Sequence, residues 1–220
     1  MFSDEPVDGC LRFEIPLKPR SFQTNRLAKR ALIKSIQDIL APIPYLFSGD
    51  VKIIIGWSVD EQVRYEGNSS PDVDNIIKPM LDAFSGPRGL MIDDCQVQSI
   101  ECYWADTWGS QEHCEVSVSS FPDDWVEKFG LAFVDIKNGL CMPINKFAKP
   151  ATTRVLLDHY LNMMEIRKKL ELTGRPSHEA RKFMSVQRVF HKSRLRKFDV
   201  YSAERLRTLL YRKKSVIDWD

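Results

Sequence analysis

The chain has 220 residues, 43% of them hydrophobic and 28% charged, a globular balance that argues against both a disordered chain and a membrane protein and gives enough length for one large domain or two compact units. Its net charge of +2 conceals a segregation: residues 1–136 carry 12 Lys and Arg against 22 Asp and Glu, whereas residues 137–220 carry 20 against 8. A basic half calls for a phosphate-bearing partner, and the clustered acids of the other half call for a chemical reason.

In chain order, residues 11–15 have strand character, ended by Pro16 and Pro19. Leu27, Ala31, Leu32, Ile36, Ile39 and Leu40 recur at three- and four-residue spacing and predict a helix over residues 25–40, stopped by Pro42 and Pro44. The β-branched run 51–59 predicts a strand, followed by a polar loop over 60–70. Residues 71–86 read as a turn entering a short helix, with Pro79 near its first position and Gly86 just past its end. Residues 97–104 and 112–119 read as two strands of a hairpin. This order predicts an α/β domain, a small mixed sheet with helices packed on it, over residues 1–120.

Residues 122–130 have the look of a short capped helix, and residues 121–150 as a whole that of a connecting segment holding Gly139, Pro143 and Pro150. Residues 151–220 are expected to be basic and mainly helical, with helices over 152–172, 177–198 and 202–213. Phe183, Met184, Val189, Phe190, Leu195 and Phe198 recur near helical spacing and are expected in a core; His178 and His191 are expected in solvent.

The N-terminus opens on acids without a basic stretch and apolar run, and no apolar segment reaches the roughly 18 residues that a membrane span needs, so a cytoplasmic location is expected. Five cysteines, an odd number with no CxxC pair, read as reduced thiols; Cys102 and Cys114 would face each other only if the hairpin forms.

Asp72, Asp74, Asp82, Asp93 and Asp94 fall within 23 residues. Hard cations such as magnesium take one or two carboxylates together with water and substrate phosphate oxygens, and two acids at i and i+2 in a turn joined by a third from another loop suit such a site. The competing reading makes these residues turn and N-cap aspartates. Lys78, four residues after Asp74, would neutralise charge building on a phosphate. Asp82, among apolar neighbours on the helix, reads as structural, paired with a lysine or capping a backbone group. A calcium loop starting at Asp72 fails, because it needs glycine at Ile77 and glutamate at Ala83.

The run Asp72-Val73-Asp74-Asn75, then Lys78, Leu81-Asp82-Ala83-Phe84, Gly86 and Asp93-Asp94-Cys95-Gln96-Val97 resembles the RusA family of Holliday-junction resolvases over about residues 10–120. Pro19, Ser21 and Asn25 match the family's N-terminal region only loosely. The resemblance implies a homodimeric endonuclease that cuts branched DNA with Mg2+ or Mn2+, in recombination or repair. By position it implies that Asp72, Asp74 and Asp94 bind the metal, that Lys78 is the catalytic lysine, and that Asn75 and Asp93 support the site. The basic region is expected to bind branched or duplex DNA through Arg188, Lys192, Arg194, Arg196 and Lys197, or alternatively to dock a protein partner. A binding or assembly protein that keeps a RusA-like domain as an interaction module is the rival reading, and the intact acids and lysine argue against it.

Overall fold

A computed structural model of the chain describes residues 8–16, 26–67, 72–108, 112–174 and 188–211, in two compact units that divide after Trp125. In the first unit the elements are β1 (Cys10–Ile15), α1 (Arg26–Leu40), β2 (Tyr45–Phe47), β3 (Val51–Asp60), α2 (Glu61–Glu66), α3 (Val73–Phe84), β4 (Val97–Thr107) and β5 (His113–Ser119). Its main sheet has the order β1-β5-β3-β4, with β3 and β4 parallel and the other pairs antiparallel. The expected mixed sheet is therefore present.

Every second residue of β3 points inward: Val51, Ile53, Ile55, Trp57 and Val59 are all buried. Helices α1 and α3 supply the opposing layer through Leu32, Ile36 and Leu40 and through Ile76, Met80, Ala83 and Phe84. A half-buried strand face packed on amphipathic helices is what the two hydrophobic periods require.

Three local expectations are corrected. The polar loop over 60–70 contains α2, whose first turn is capped by Asp60: its carboxylate accepts from the backbone N–H of Gln62 at 3.0 Å and of Val63 at 3.2 Å. Pro79 lies inside α3, on the buried face, not at its start. Strands β4 and β5 form no hairpin, because β3 lies between them. β5 buries Cys114, Val116 and Val118 by strict alternation and so takes an interior place, whereas the half-buried β4 takes the sheet edge. Cys102 and Cys114 thus flank β3 and are both free thiols, and burial pushes the Cys102 thiol up to about 11 and that of Cys114 further.

The second unit departs from the expectation of a mainly helical region. β6 (Trp125–Glu127) stands where a capped helix was expected; Trp125, at the end of the first unit, packs edge-on against Tyr45 with ring centroids 6.1 Å apart. The supposed connecting segment forms β7 (Leu131–Lys137) and β8 (Leu140–Asn145), joined by Asn138-Gly139. Both turn residues have positive φ, 56° and 74°, the geometry of a two-residue hairpin turn that matches strand twist. Pro143 is tolerated in β8 because its partner Phe133 donates its own N–H to Asp199 O, which makes Phe133–Pro143 a pair without hydrogen bonds between the two strands.

The sheet of this unit has the order β10-β7-β8-β9, with β9 (Phe190–His191) and β10 (Val200–Ser202) at its edges. Helices α4 (Pro150–Leu172) and α5 (Ala203–Tyr211) cover one face, packing Leu157, Tyr160, Met163, Leu206 and Leu210 on Ala132, Val134, Ile136, Met142 and Ile144. Residues 188–198, expected in a helix, are a short strand and a 3-10 turn over Lys192–Arg194: Phe190 and Leu195 are buried as expected, but β pairing with Leu140 and Cys141 overrides their near-helical spacing. His191 is exposed, as expected; His178, Arg181, Lys182, Phe183 and Met184 lie outside the described residues. Among the described residues no helix is long and apolar enough to cross a membrane.

One buried side chain holds the loop that follows α3. Gln96 is 2% exposed; its Oε1 accepts from the N–H of Ile92 at 2.8 Å and of Asp93 at 3.0 Å, and its Nε2 donates to Phe47 O at 2.9 Å and Gly49 O at 2.7 Å. The substitution Gln96→Leu keeps the volume but strands four backbone groups, and each buried orphan costs about 1–3 kcal/mol. We expect it to lower unfolding stability by about 3 kcal/mol or more, measured as a shift in denaturant midpoint at constant slope.

Candidate active site

The crossover from β3 to β4 carries all five clustered aspartates. Asp72 is the N-cap residue of α3, yet its side chain makes no capping hydrogen bond, so its carboxylate is not consumed by the role that the turn reading assigned to it. The backbone N–H of Asn75 bonds to Asp72 O at 3.1 Å, closing the first turn. Asp74, exposed in that turn, begins a stripe that continues at i+4 with Lys78 and at i+8 with Asp82.

Lys78 is the hinge of the local charge arrangement. Its Nζ lies 2.7 Å from Asp94 Oδ2 and 3.1 Å from Asp82 Oδ1. Asp82 also receives Lys29 of α1 at 2.7 Å, so it has the lysine partner expected of it, twice over. The hydrogen bond to Asp94, aided by Asp82 and opposed by partial burial, raises the Lys78 pKa above its ordinary value. Burial alone would raise the Asp82 carboxyl, but the bonds from Lys29 and Lys78 outweigh it and hold the pKa below the ordinary carboxylate value.

Asp94 opens the 3-10 turn Asp94–Gln96, which Asp93 caps: the Asp93 carboxylate accepts from Cys95 N at 3.1 Å while Gln96 reaches back to Asp93 N. Asp93 therefore fixes the turn that presents Asp94. The structure thus joins Lys78, Asp94 and Asp82 directly and places Asp72 and Asp74 at the head of the same helix. Sequence reasoning gave no role to Gln96, to Lys29, or to Arg88, which pairs with Asp38 of α1 and ties the loop after α3 to that helix; the Gln96 signal was a polar residue directly before a strand. Arg188, Lys192, Arg194, Arg196 and Lys197 are all exposed in the second unit, but on irregular, 3-10 and turn backbone, not on an α-helix. Pro19, Ser21 and Asn25 lie outside the described residues.

An oxygen-only donor set suits a hard divalent cation, and the uncapped Asp72 carboxylate fits that use. Among the described residues no three His, Cys, Asp or Glu side chains converge as a metal cluster; the counter-charge of Asp94 is the Lys78 ammonium.

The sign of the Asp82 shift gives a pH test. A carboxyl whose folded pKa is depressed contributes stability above its unfolded value, near 3.8, and that contribution is lost as pH falls through the lower folded value. Asp82→Asn is expected to cost about 1–2 kcal/mol at pH 7 and progressively less below pH 4, measured by denaturant unfolding at both ends of the range.

The family model described as endodeoxyribonuclease RusA matches residues 4–119, more than half of the chain, and this span holds every residue of the Lys78 arrangement. A comparison with curated proteins finds no match.

Proposed function

The chain belongs to the endodeoxyribonuclease RusA family, and on that premise we propose that it cleaves branched DNA, Holliday junctions or related structures, by metal-dependent hydrolysis of a phosphodiester in recombination or repair. The observation that supports this most is the Lys78 ammonium held 2.7 Å from Asp94, on the helix headed by Asp72 and Asp74 and inside the family match. In this reading Asp72, Asp74 and Asp94 hold Mg2+ or Mn2+, and Asn75 and Asp93 fix the two turns that carry them. The bound cation supplies a water of lowered pKa and positive charge at the phosphate.

The chain's own part is geometry and charge. Lys78, with its raised pKa, keeps its proton throughout the physiological range, so it serves as a donor to a phosphate oxygen and not as a base. Its bonds to the carboxylates of Asp82 and Asp94 limit its rotamers before substrate arrives. The surplus of Lys and Arg in the second unit supports backbone contacts to DNA, with Arg188, Lys192, Arg194, Arg196 and Lys197 exposed for them.

Asp72→Asn, Asp74→Asn and Asp94→Asn each keep the side-chain shape and remove the charge that holds the cation; each is expected to abolish nicking of a four-way junction in magnesium while junction binding in EDTA persists. Cleavage by Asp74→Asn at wild-type rate contradicts the assignment. Two opposed cuts on a symmetric junction require two sites, so we further propose a homodimer. Light scattering is expected to give about twice the 25.5 kDa chain mass, and a strict monomer that resolves junctions contradicts it.

A further inference from the structure

The second unit exposes an aromatic pair that its core does not use. Phe129 and Phe147 are 72% and 65% exposed, yet their rings stack with centroids 4.6 Å apart and planes 19° from parallel. A single exposed phenylalanine is ordinary surface, but this pair is held by its backbone. Asn145 donates from Nδ2 to Phe129 O at 3.1 Å and accepts at Oδ1 from Phe147 N at 2.8 Å, so one side chain anchors both aromatic residues. Lys146 N donates to Gly130 O at 2.8 Å. Gly130 has φ +72°, and a Cβ there would stand 2.6 Å from Phe147 Cδ2; the Phe147 ring occupies the space that only glycine leaves. The rings are ordered within the fold itself, which removes an ordering cost from any ligand that stacks on them.

Lys128, Lys146 and Lys149 flank the two aromatic residues in the chain. Lys146, the residue before Phe147, bonds Asp199 Oδ2 from its Nζ at 2.8 Å, and Asp199 lies two residues after the exposed Lys197. Val200 pairs in parallel with Phe133, and Phe133 N donates to Asp199 O, which places Asp199 beside the start of β7, the strand that follows Phe129. The unit as a whole, residues 126–220, carries 21 Lys and Arg against 10 Asp and Glu. Flat apolar rings flanked by lysines in a unit with this surplus of positive charge match an unpaired base with its phosphate, whereas an apolar protein surface gains nothing from that charge.

We propose that Phe129 and Phe147 form a stacking platform for unpaired bases of single-stranded DNA, with Arg196 and Lys197 meeting the adjoining phosphates. The proposal rests on the reading of the chain as a DNA-cleaving enzyme and gives the second unit a role in holding the unpaired strand regions of a branched substrate.

The test uses the full chain in EDTA and a single-stranded oligonucleotide carrying 2-aminopurine, whose fluorescence falls when the base stacks. Wild type is expected to bind and quench. Phe147→Ala and Phe147→Leu are each expected to weaken single-strand binding about tenfold and to remove the quench, Phe147→Trp to restore both, and blunt duplex binding to stay within about twofold of wild type. Phe147→Leu keeps apolar bulk without a flat ring, so equal loss in Leu and Ala variants that melt like wild type separates stacking from folding. Absence of quenching by wild type, an unchanged quench in Phe129→Ala and Phe147→Ala, or equal weakening on duplex and single strand overturns the platform. The readout needs no cleavage: a chain that quenches but never cuts loses the nuclease reading alone, and one that cuts junctions without quenching loses this proposal alone.

Discussion

Strands β3 and β4 run parallel, and a parallel pair can be closed only by a crossover long enough to return the chain to the starting end of the sheet. Here that crossover holds α2, α3 and the Asp94–Gln96 turn. It must be anchored on the sheet at both ends, and it is: Ile76, Met80, Ala83 and Phe84 bury the inner face of α3, while Gln96 sews the far end to the backbone of Phe47 and Gly49. With both ends fixed, the outer face of α3 and the turn before β4 are held in one register, and the polar residues between them have few places to go.

That constraint explains the local electrostatics. Five aspartates on a single crossover repel one another, and the fold answers with Lys78 and Lys29. Lys29 lies on α1 and reaches Asp82 from the side, so Asp82 is held by two helices at once, while Lys78 is shared between Asp82 and Asp94. Asp82 thereby serves as the fixed point of the arrangement: its depressed pKa shows that the two ammonium groups outweigh the cost of its partial burial. Asp72 and Asp74 stand at the helix N-terminus, where the backbone dipole favours negative charge.

The first unit was largely legible from hydrophobic period. The β-branched run 51–59 marks a buried strand and the three-four spacing in 25–40 one buried helix face, and the structure places strand and helix within a residue of those limits. Strand pairing was not legible, because period reports which face is buried but not which neighbour lies alongside; β4 and β5, consecutive in the chain, are separated by β3. The acid cluster was visible as spacing, and the pairing of Asp82 with a lysine followed from its place on the helix, but the Gln96 clamp depends on backbone groups about 47–49 residues away, and its place in the Asp93–Val97 motif before a strand does not reveal those partners.

The second unit shows how composition misleads. An excess of Lys and Arg is compatible with any backbone, and prolines at 143 and 150 suggested a linker, yet Asn138-Gly139 is a strong hairpin signal between apolar runs and decides the matter. Because β7 begins at Leu131, a division at residue 137 would cut through the central hairpin, and the basic segment has no independent core without Ala132, Val134 and Ile136. The charges of this unit therefore act from a folded sheet. The bond from Lys192 N to Gly139 O ties the 3-10 turn of Lys192 and Arg194 to the Asn138-Gly139 turn, and a second turn, closed by Phe198 N on Leu195 O, carries Arg196 and Lys197 on to Asp199, which Lys146 holds. Lys192, Arg194, Arg196 and Lys197 thus follow one another through two successive turns, so their backbones stay close together and the folded segment concentrates positive charge in one place.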